Sequence, residues 1–365
     1  MCFRAQLFLF FGVSILCLLT ACDPPDSRVQ SSPTYARELV VYNWVDDMPG
    51  SVLDAFTREF GVKIKSVTFE SQEEAVENIR NGKVYDVAVI ENPFVPGLVA
   101  ANRLAEIDFR QVPNFRNISA NFRDLATDPG NRYTVPYHYG TTGLLVRTDL
   151  IGNAVTRWAD LWDPQYAGKI AVRAQPRELI AMTLLSLGYG LNSENPQELE
   201  AVGSRLDQLK KSALLVEVDT PKAVSRLLSG EAVVLLGWPM DYQAARAANP
   251  AVAYVLPREG TALWSDNYVI PANSPNASTA MLFINFLLRP EISAQLVNEK
   301  HYPNANEAAY AFVRPEIRSD PVITPPAEIL RRAHFFLPLT ATGEVLYQRT
   351  WQRFLAAIPP SRGNQ

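Results

Sequence analysis

Indole and carboxylate side chains keep company along this chain. Trp44 stands just before Asp46 and Asp47, Trp238 before Asp241, and Trp264 before Asp266, so three of the six tryptophans fall at the end or start of an apolar run, each within two or three residues of an aspartate. Glu91 and Asn92 close another apolar run. An aromatic face attracts a desolvated ammonium by about 0.5–2 kcal/mol, and a carboxylate ~4 Å from a cation gains roughly 4 kcal/mol at an effective dielectric near 20. Desolvation takes much of that back, so several carboxylates must share one ligand. With no partner cation close in sequence, the pattern suits a flexible aliphatic amine whose methylenes lie against indole walls. A purely structural alternative stands beside it: Asp46 or Asp47 caps the helix that starts near Ser51, and Trp44 belongs to the core.

Other chemistries find less support. His138, His301 and His334 are the only histidines and have no metal-ligand spacing, so neither a metal nor a cofactor is expected. His138, in the run "PYHYG", either packs in the core, faces solvent or reaches a cleft. Neither a G-x-S-x-G nor a P-loop occurs. Paired carboxylates such as Asp46 and Asp266 would also serve a glycosidase, and tryptophan stacking suits sugars. Tyr133, Tyr137 and Tyr139 would suit a ferric-ion binder, which has no need of a tryptophan ring. A formal net charge of −4 argues against a nucleic-acid partner.

The elements that must position these residues alternate. Strands are expected at 39–42, 62–69, 85–90, 169–172, 214–218 and 232–236. Helices are expected at 51–60, 72–81, 178–187 and 221–228, and from Asp241. This β-α-β spacing predicts mostly parallel sheets covered on both faces, in two α/β units joined near Gly140–Gly143. In open α/β sheets ligands bind outside the carboxyl ends of strands, which is where Asn43–Asp47, Glu91–Asn92 and Gly237–Asp241 fall.

The N-terminus reads as a leader. Met1–Arg4 carries one positive charge, Leu7–Leu19 is almost wholly apolar, and Leu19-Thr20-Ala21 precedes Cys22. This is a secretory signal, too short and wrongly flanked for a spanning helix, and Leu-Thr-Ala-Cys resembles the bacterial lipobox, in which the cysteine is lipidated. Asp23 after it suggests retention at the inner membrane. Residues 22–36 then read as a tether. Cys2 and Cys17 leave with the signal, so the mature chain can form no internal disulfide and has no cysteine nucleophile. Roughly 330 residues remain, enough for two lobes.

Across nearly the whole mature chain, the runs "VVYNWVDD", "VPYHYGTTGLLV", "LGWPMDYQA", "LPREGTALWSDNYVIPANS", "FINFLLRPEISAQL" and "YPNANEAA" resemble the periplasmic polyamine-binding proteins, the putrescine/spermidine receptors of ABC importers. The resemblance implies a type II periplasmic-binding-protein fold: two α/β lobes built from discontinuous segments, closing about a hinge. Its expected boundaries are a signal peptide at 1–21, lobe 1 at 37–141 and 265–310, and lobe 2 at 142–264 and 311–365. It implies ligand contacts at Trp44, Asp46, Glu178, Trp238, Asp241, Asp266 and Tyr302, with Trp264 matching a tryptophan of spermidine-preferring members. Departures occur at Val45 (usually Ser or Thr), Asp47 (an aromatic), Glu91 (a Ser), Pro93 (sometimes a Tyr) and Gln175 (an Asp). Asp47 and Glu91 thus add possible carboxylates to the first half, a change expected to favour a triamine.

The expectation is a non-enzymatic, monomeric, lipid-anchored periplasmic receptor that delivers a polyamine to an inner-membrane ABC permease. A carbohydrate or other organic-cation binder, a ligand sensor and a glycan-acting enzyme on the same scaffold remain the alternatives.

Overall fold

The computed structural model describes residues 35–210, 213–216 and 220–356. The expected signal segment, Cys22 and the tether as far as Thr34 lie outside the described residues, as do the last two residues of the strand expected at 214–218.

Eleven strands are present among the described residues, numbered in chain order: β1 (Glu38–Trp44), β2 (Lys63–Phe69), β3 (Val87–Glu91), β4 (Val135–Thr141), β5 (Gly143–Arg147), β6 (Ile170–Arg173), β7 (Ala213–Val216), β8 (Val234–Gly237), β9 (Val252–Val255), β10 (Thr261–Val269) and β11 (Ala333–Phe335). They form two sheets. The first runs β11-β10-β3-β1-β2, with β4 also on β10; the second runs β7-β6-β8-β5-β9.

Local sequence accounts for most of these elements. Helix Gly50–Phe60 turns Val52 and Phe56 inward and ends at Gly61, whose φ of 70° closes the helix in the left-handed region. Ser71 caps helix Gln72–Arg80 by accepting the Glu74 backbone N–H at 3.2 Å. β3 is buried at Val87, Ala88, Val89 and Ile90, as a central strand covered on both faces must be.

The sheets are mixed, not mostly parallel. β1 pairs in parallel with β2 and β3, and β6 with β7 and β8. β10, however, runs antiparallel to β3 and β4, and β5 runs antiparallel to β8 and β9. The α/β repeats gave parallel units; the antiparallel members are the strands that cross between sheets. The chain leaves the first sheet at Thr141 and enters the second at Gly143, then returns at Thr261. β10 therefore belongs to the first sheet from Thr261, before the crossing expected at 265. β11, expected with lobe 2, pairs with β10 in the first sheet.

Each sheet has its own core. Phe56, Val89, Tyr268, Phe283 and Phe286 pack around the first. Trp158, Val172, Leu184 and Leu206 pack around the second, and helix Ala341–Ala356 adds Trp351 and Phe354 to it. Where the chain crosses, the Thr142 backbone N–H donates to the Ala262 carbonyl at 3.3 Å, and the Thr261 hydroxyl donates to the Thr142 carbonyl. The two crossing segments thus lie side by side, at the edge of the residues singled out above.

Candidate functional site

From the first sheet, β1 and β10 bring Trp44 to Asp266: the indole Nε1 donates to Asp266 Oδ2 at 3.2 Å. β10 shifts register against β4 between Ser265 and Asn267, and such an irregularity re-aims the side chain at the shift. Asp266 also stands opposite Glu91 in the antiparallel pairing of β10 with β3. Trp264 lies over the Gly140 backbone so tightly that a Cβ there would fall 2.1 Å from the ring. A glycine is required at 140 for this close approach.

Asp47 does not cap the following helix. That helix has Pro49 at its N-cap, with no side-chain cap bond. Asp47 is instead buried: its Oδ2 accepts from Asn43 Nδ2 at 2.7 Å and its Oδ1 lies 3.1 Å from His138 Nε2. The same imidazole nitrogen is 3.6 Å from Asp266 Oδ2. Residues 303–305 run along β4, with Tyr139 N–H donating to the Pro303 carbonyl and Ala305 N–H to the Tyr137 carbonyl. This places the Tyr302 ring on His138, centroids 4.9 Å apart and 15° from parallel. His138, which the sequence left open, therefore packs in the middle of the site.

Asp46 is set apart from this group. It adopts a φ of 57°, its side chain is 91% exposed, and it pairs with Lys300 Nζ at 2.9 Å.

The second sheet contributes the rest. Glu178 sits in the first turn of helix Pro176–Ser186, and its Oε1 accepts from Trp238 Nε1 and from the Thr142 hydroxyl, each at 2.8 Å. Asp241 is fully buried; Oδ2 accepts the Trp238 backbone N–H at 2.8 Å, and Oδ1 is ion-paired with Arg173. The Arg173 guanidinium stacks over the Trp238 indole at 4.2 Å. The two halves meet where Tyr302 approaches Met240 Sδ at 3.7 Å.

The electrostatics follow from burial. Burial pushes Asp266 up, with His138 opposing and Asp47 adding, to about 6. Burial, then the charges of Asp266 and Glu178, lift Glu91 well above the ordinary carboxylate range. Burial also raises Glu178, against the hydrogen bonds from Trp238 and Thr142. For His138, burial pulls the imidazole down, but Asp47 and then Asp266 outweigh it, and its pKa ends above the ordinary histidine value. Asp47 ends below its usual value, because His138 and Asn43 outweigh burial. Two buried oxygens, Asp266 Oδ1 and Glu178 Oε2, have no hydrogen-bond partner among the described residues. A carboxylate left so is costly, and an incoming N–H donor would satisfy both.

The structure thus brings together Trp44, Asp47, Glu91, Trp264, Asp266 and Tyr302 from one half, and Glu178, Trp238 and Asp241 from the other. Asp46 points elsewhere. Sequence reading missed Arg173 and the pairing of His138. Looking past the end of every strand would have found Arg173, which follows the apolar run Ile170–Val172. Nothing local announces the partner of His138.

With this geometry in hand, three comparisons bear on the chain. Residues 51–325 match the family model described as bacterial extracellular solute-binding protein. The spermidine/putrescine-binding periplasmic protein of Escherichia coli is 32% identical over 321 residues, covering 87% of this chain and 91% of that one. The putrescine-binding periplasmic protein SpuD of Pseudomonas aeruginosa is 31% identical over 363 residues, covering 94% and 98%. Among solved structures, a putative spermidine/putrescine ABC transporter from Listeria monocytogenes superposes with a TM-score of 0.83 at 27% identity, covering 88% of this chain and 99% of that one.

Proposed function

The chain belongs to the bacterial extracellular solute-binding proteins, and from that premise we propose that it captures a polyamine between its two lobes and delivers it to an ABC importer. The supporting observation is the pair of unpartnered buried oxygens, Asp266 Oδ1 and Glu178 Oε2, one from each half, beside the indoles of Trp44 and Trp238. An ammonium group carries the donors these oxygens lack, and the indoles cover the adjoining methylenes. A sugar would supply hydroxyl donors but would leave the negative charge uncompensated. Trp44, Asp47, Glu91, Glu178, Trp238, Asp241, Trp264, Asp266 and Tyr302 form the proposed site, while Asp46 lies at its rim.

On this reading the protein works as a monomer, is not an enzyme and needs no cofactor. Lobe 1 is centred on 37–141 and 265–310, and lobe 2 on 142–264. We extend lobe 1 to take in β10 from Thr261 and β11. The lipobox at Cys22 supports a lipid anchor at the inner membrane, where the permease would receive the ligand. Release of a Cys22→Ala variant in soluble form, against membrane retention of the natural chain, tests the anchor. Native mass spectrometry of the isolated protein, followed by titration calorimetry with putrescine, cadaverine, spermidine and spermine, tests the ligand class. Heat with none of the four overturns it.

A further inference from the structure

Five carboxylates converge on the site and a sixth, Asp46, lies at its rim, but three of the six are already neutralised by the protein. Asp46 pairs with Lys300 at the exposed rim, Asp47 with His138, and Asp241 with Arg173. The last two pairs are buried, and Arg173 occupies its carboxylate in the manner a ligand would: charge against Asp241, face against the Trp238 indole. Tyr302 stacks on the His138 imidazole, which lies between Asp47 and Asp266. What remains for a ligand is Asp266 and Glu178, each with a buried unpartnered oxygen, and Glu91 opposite Asp266.

Resting on the polyamine reading above, we infer that Arg173 and His138 are selectivity residues that fill two cation positions of the site, so that the receptor takes a short diamine and discriminates against triamines and tetraamines. The charge count agrees. Two ammonium groups are matched by Asp266, Glu178 and Glu91, and burial beside the other two inclines Glu91 to hold its proton. A third ammonium would meet the guanidinium of Arg173 or the imidazolium of His138 where it needs a carboxylate, and like charges at close range in a desolvated site repel strongly. Counting carboxylates in the sequence led to the opposite expectation, because Asp47 was counted without His138.

Competition calorimetry of the natural chain, Arg173→Met and His138→Leu with putrescine and spermidine decides the matter. The natural chain is expected to prefer putrescine by about tenfold or more. Each substitution should shift the putrescine-to-spermidine ratio toward spermidine by about tenfold. A merely structural role weakens both amines alike and leaves that ratio in place. Should Arg173→Met fail to fold, as judged by circular dichroism, the His138→Leu ratio carries the test. Spermidine bound as tightly as putrescine by the natural chain, or an unchanged ratio in the folded variants, overturns the inference while leaving polyamine binding intact. Heat with no amine overturns the underlying reading as well.

Discussion

On the second-sheet side of the site, Asp241 meets a guanidinium, which keeps its charge in proteins; on the first-sheet side, Asp47 meets an imidazole, which need not. Both pairs are buried, both remove a carboxylate from the ligand's reach, and each leaves one neighbouring acid with an unsatisfied oxygen, Glu178 in one half and Asp266 in the other. The two acids are also held differently. Glu178 Oε1 has two hydrogen-bond donors, Trp238 and Thr142, whereas Asp266 has one indole donor at 3.2 Å and shares the His138 nitrogen with Asp47. The second half is therefore a preset cradle, and the first is where charge can rearrange as a ligand arrives.

The severest challenge to this contrast is Asp266→Asn. It removes the charge from the less supported acid, so a bound ammonium loses its main partner, at a cost of about 3–5 kcal/mol in binding. Calorimetry should register near-complete loss of affinity. A change no larger than that of Asp46→Ala would mean that the first half does not hold the amine.

Next in size is Gly140→Ala. Its Cβ would fall 2.1 Å from the Trp264 ring, so the indole must move, and overpacking of this kind costs about 1–3 kcal/mol. Thermal melts should show a lower midpoint, and the amine affinity should fall with it. An unaltered melting temperature and affinity would show that Trp264 can step aside without loss.

The titrating half also predicts a pH dependence. Asp266 ionises near 3.8 in the unfolded chain but at about 6 when buried, so the ligand-free fold loses stability as pH rises between these values. His138 lies above 6.5 when folded. Its contribution is therefore complete below 6.5 and is lost as pH rises through the folded value. Asp47, held below 3.8, acts only in the acid range. The groups facing His138 are Asp47, Asp266, the phenols of Tyr137 and Tyr302, and the Trp264 indole. Scanning calorimetry without ligand should show stability falling as pH rises from about 4 to about 6 and on above 6.5, with the raised Glu91 and Glu178 adding to the fall. His138→Gln should remove the imidazole's part of the fall and, by taking away the cation that opposes burial, move the Asp266 part to higher pH. A pH profile identical in His138→Gln and the natural chain would assign the titration elsewhere.

The smallest effect belongs to Asp46→Ala. Its side chain is 91% exposed and paired only at the surface, so screening leaves little to lose, and affinity should change by less than about threefold. A larger loss would return Asp46 to the binding surface that the family resemblance assigned it.

Much of this protein was legible before folding was considered. Helix Gly50–Phe60, with its apolar stripe and terminal Gly61, and strand Val87–Glu91, with its unbroken apolar run, depend on neighbours a few residues away, so periodicity reveals them. The recurrence of Trp44, Trp238 and Trp264 beside aspartates was visible for the same reason. What the tertiary structure decided is which carboxylates are spent. His138 lies 91 residues from Asp47, and Arg173 lies 68 from Asp241. Such pairs leave no trace in local composition, because they arise only when β10 returns antiparallel to the first sheet and β6 and β8 are laid side by side in the second. Residue types set the kind of ligand, since indole and carboxylate chemistry travels with the side chain. The number of charges left for that ligand depends on long-range pairing, since an acid's charge is available only if no cation of the chain has folded against it.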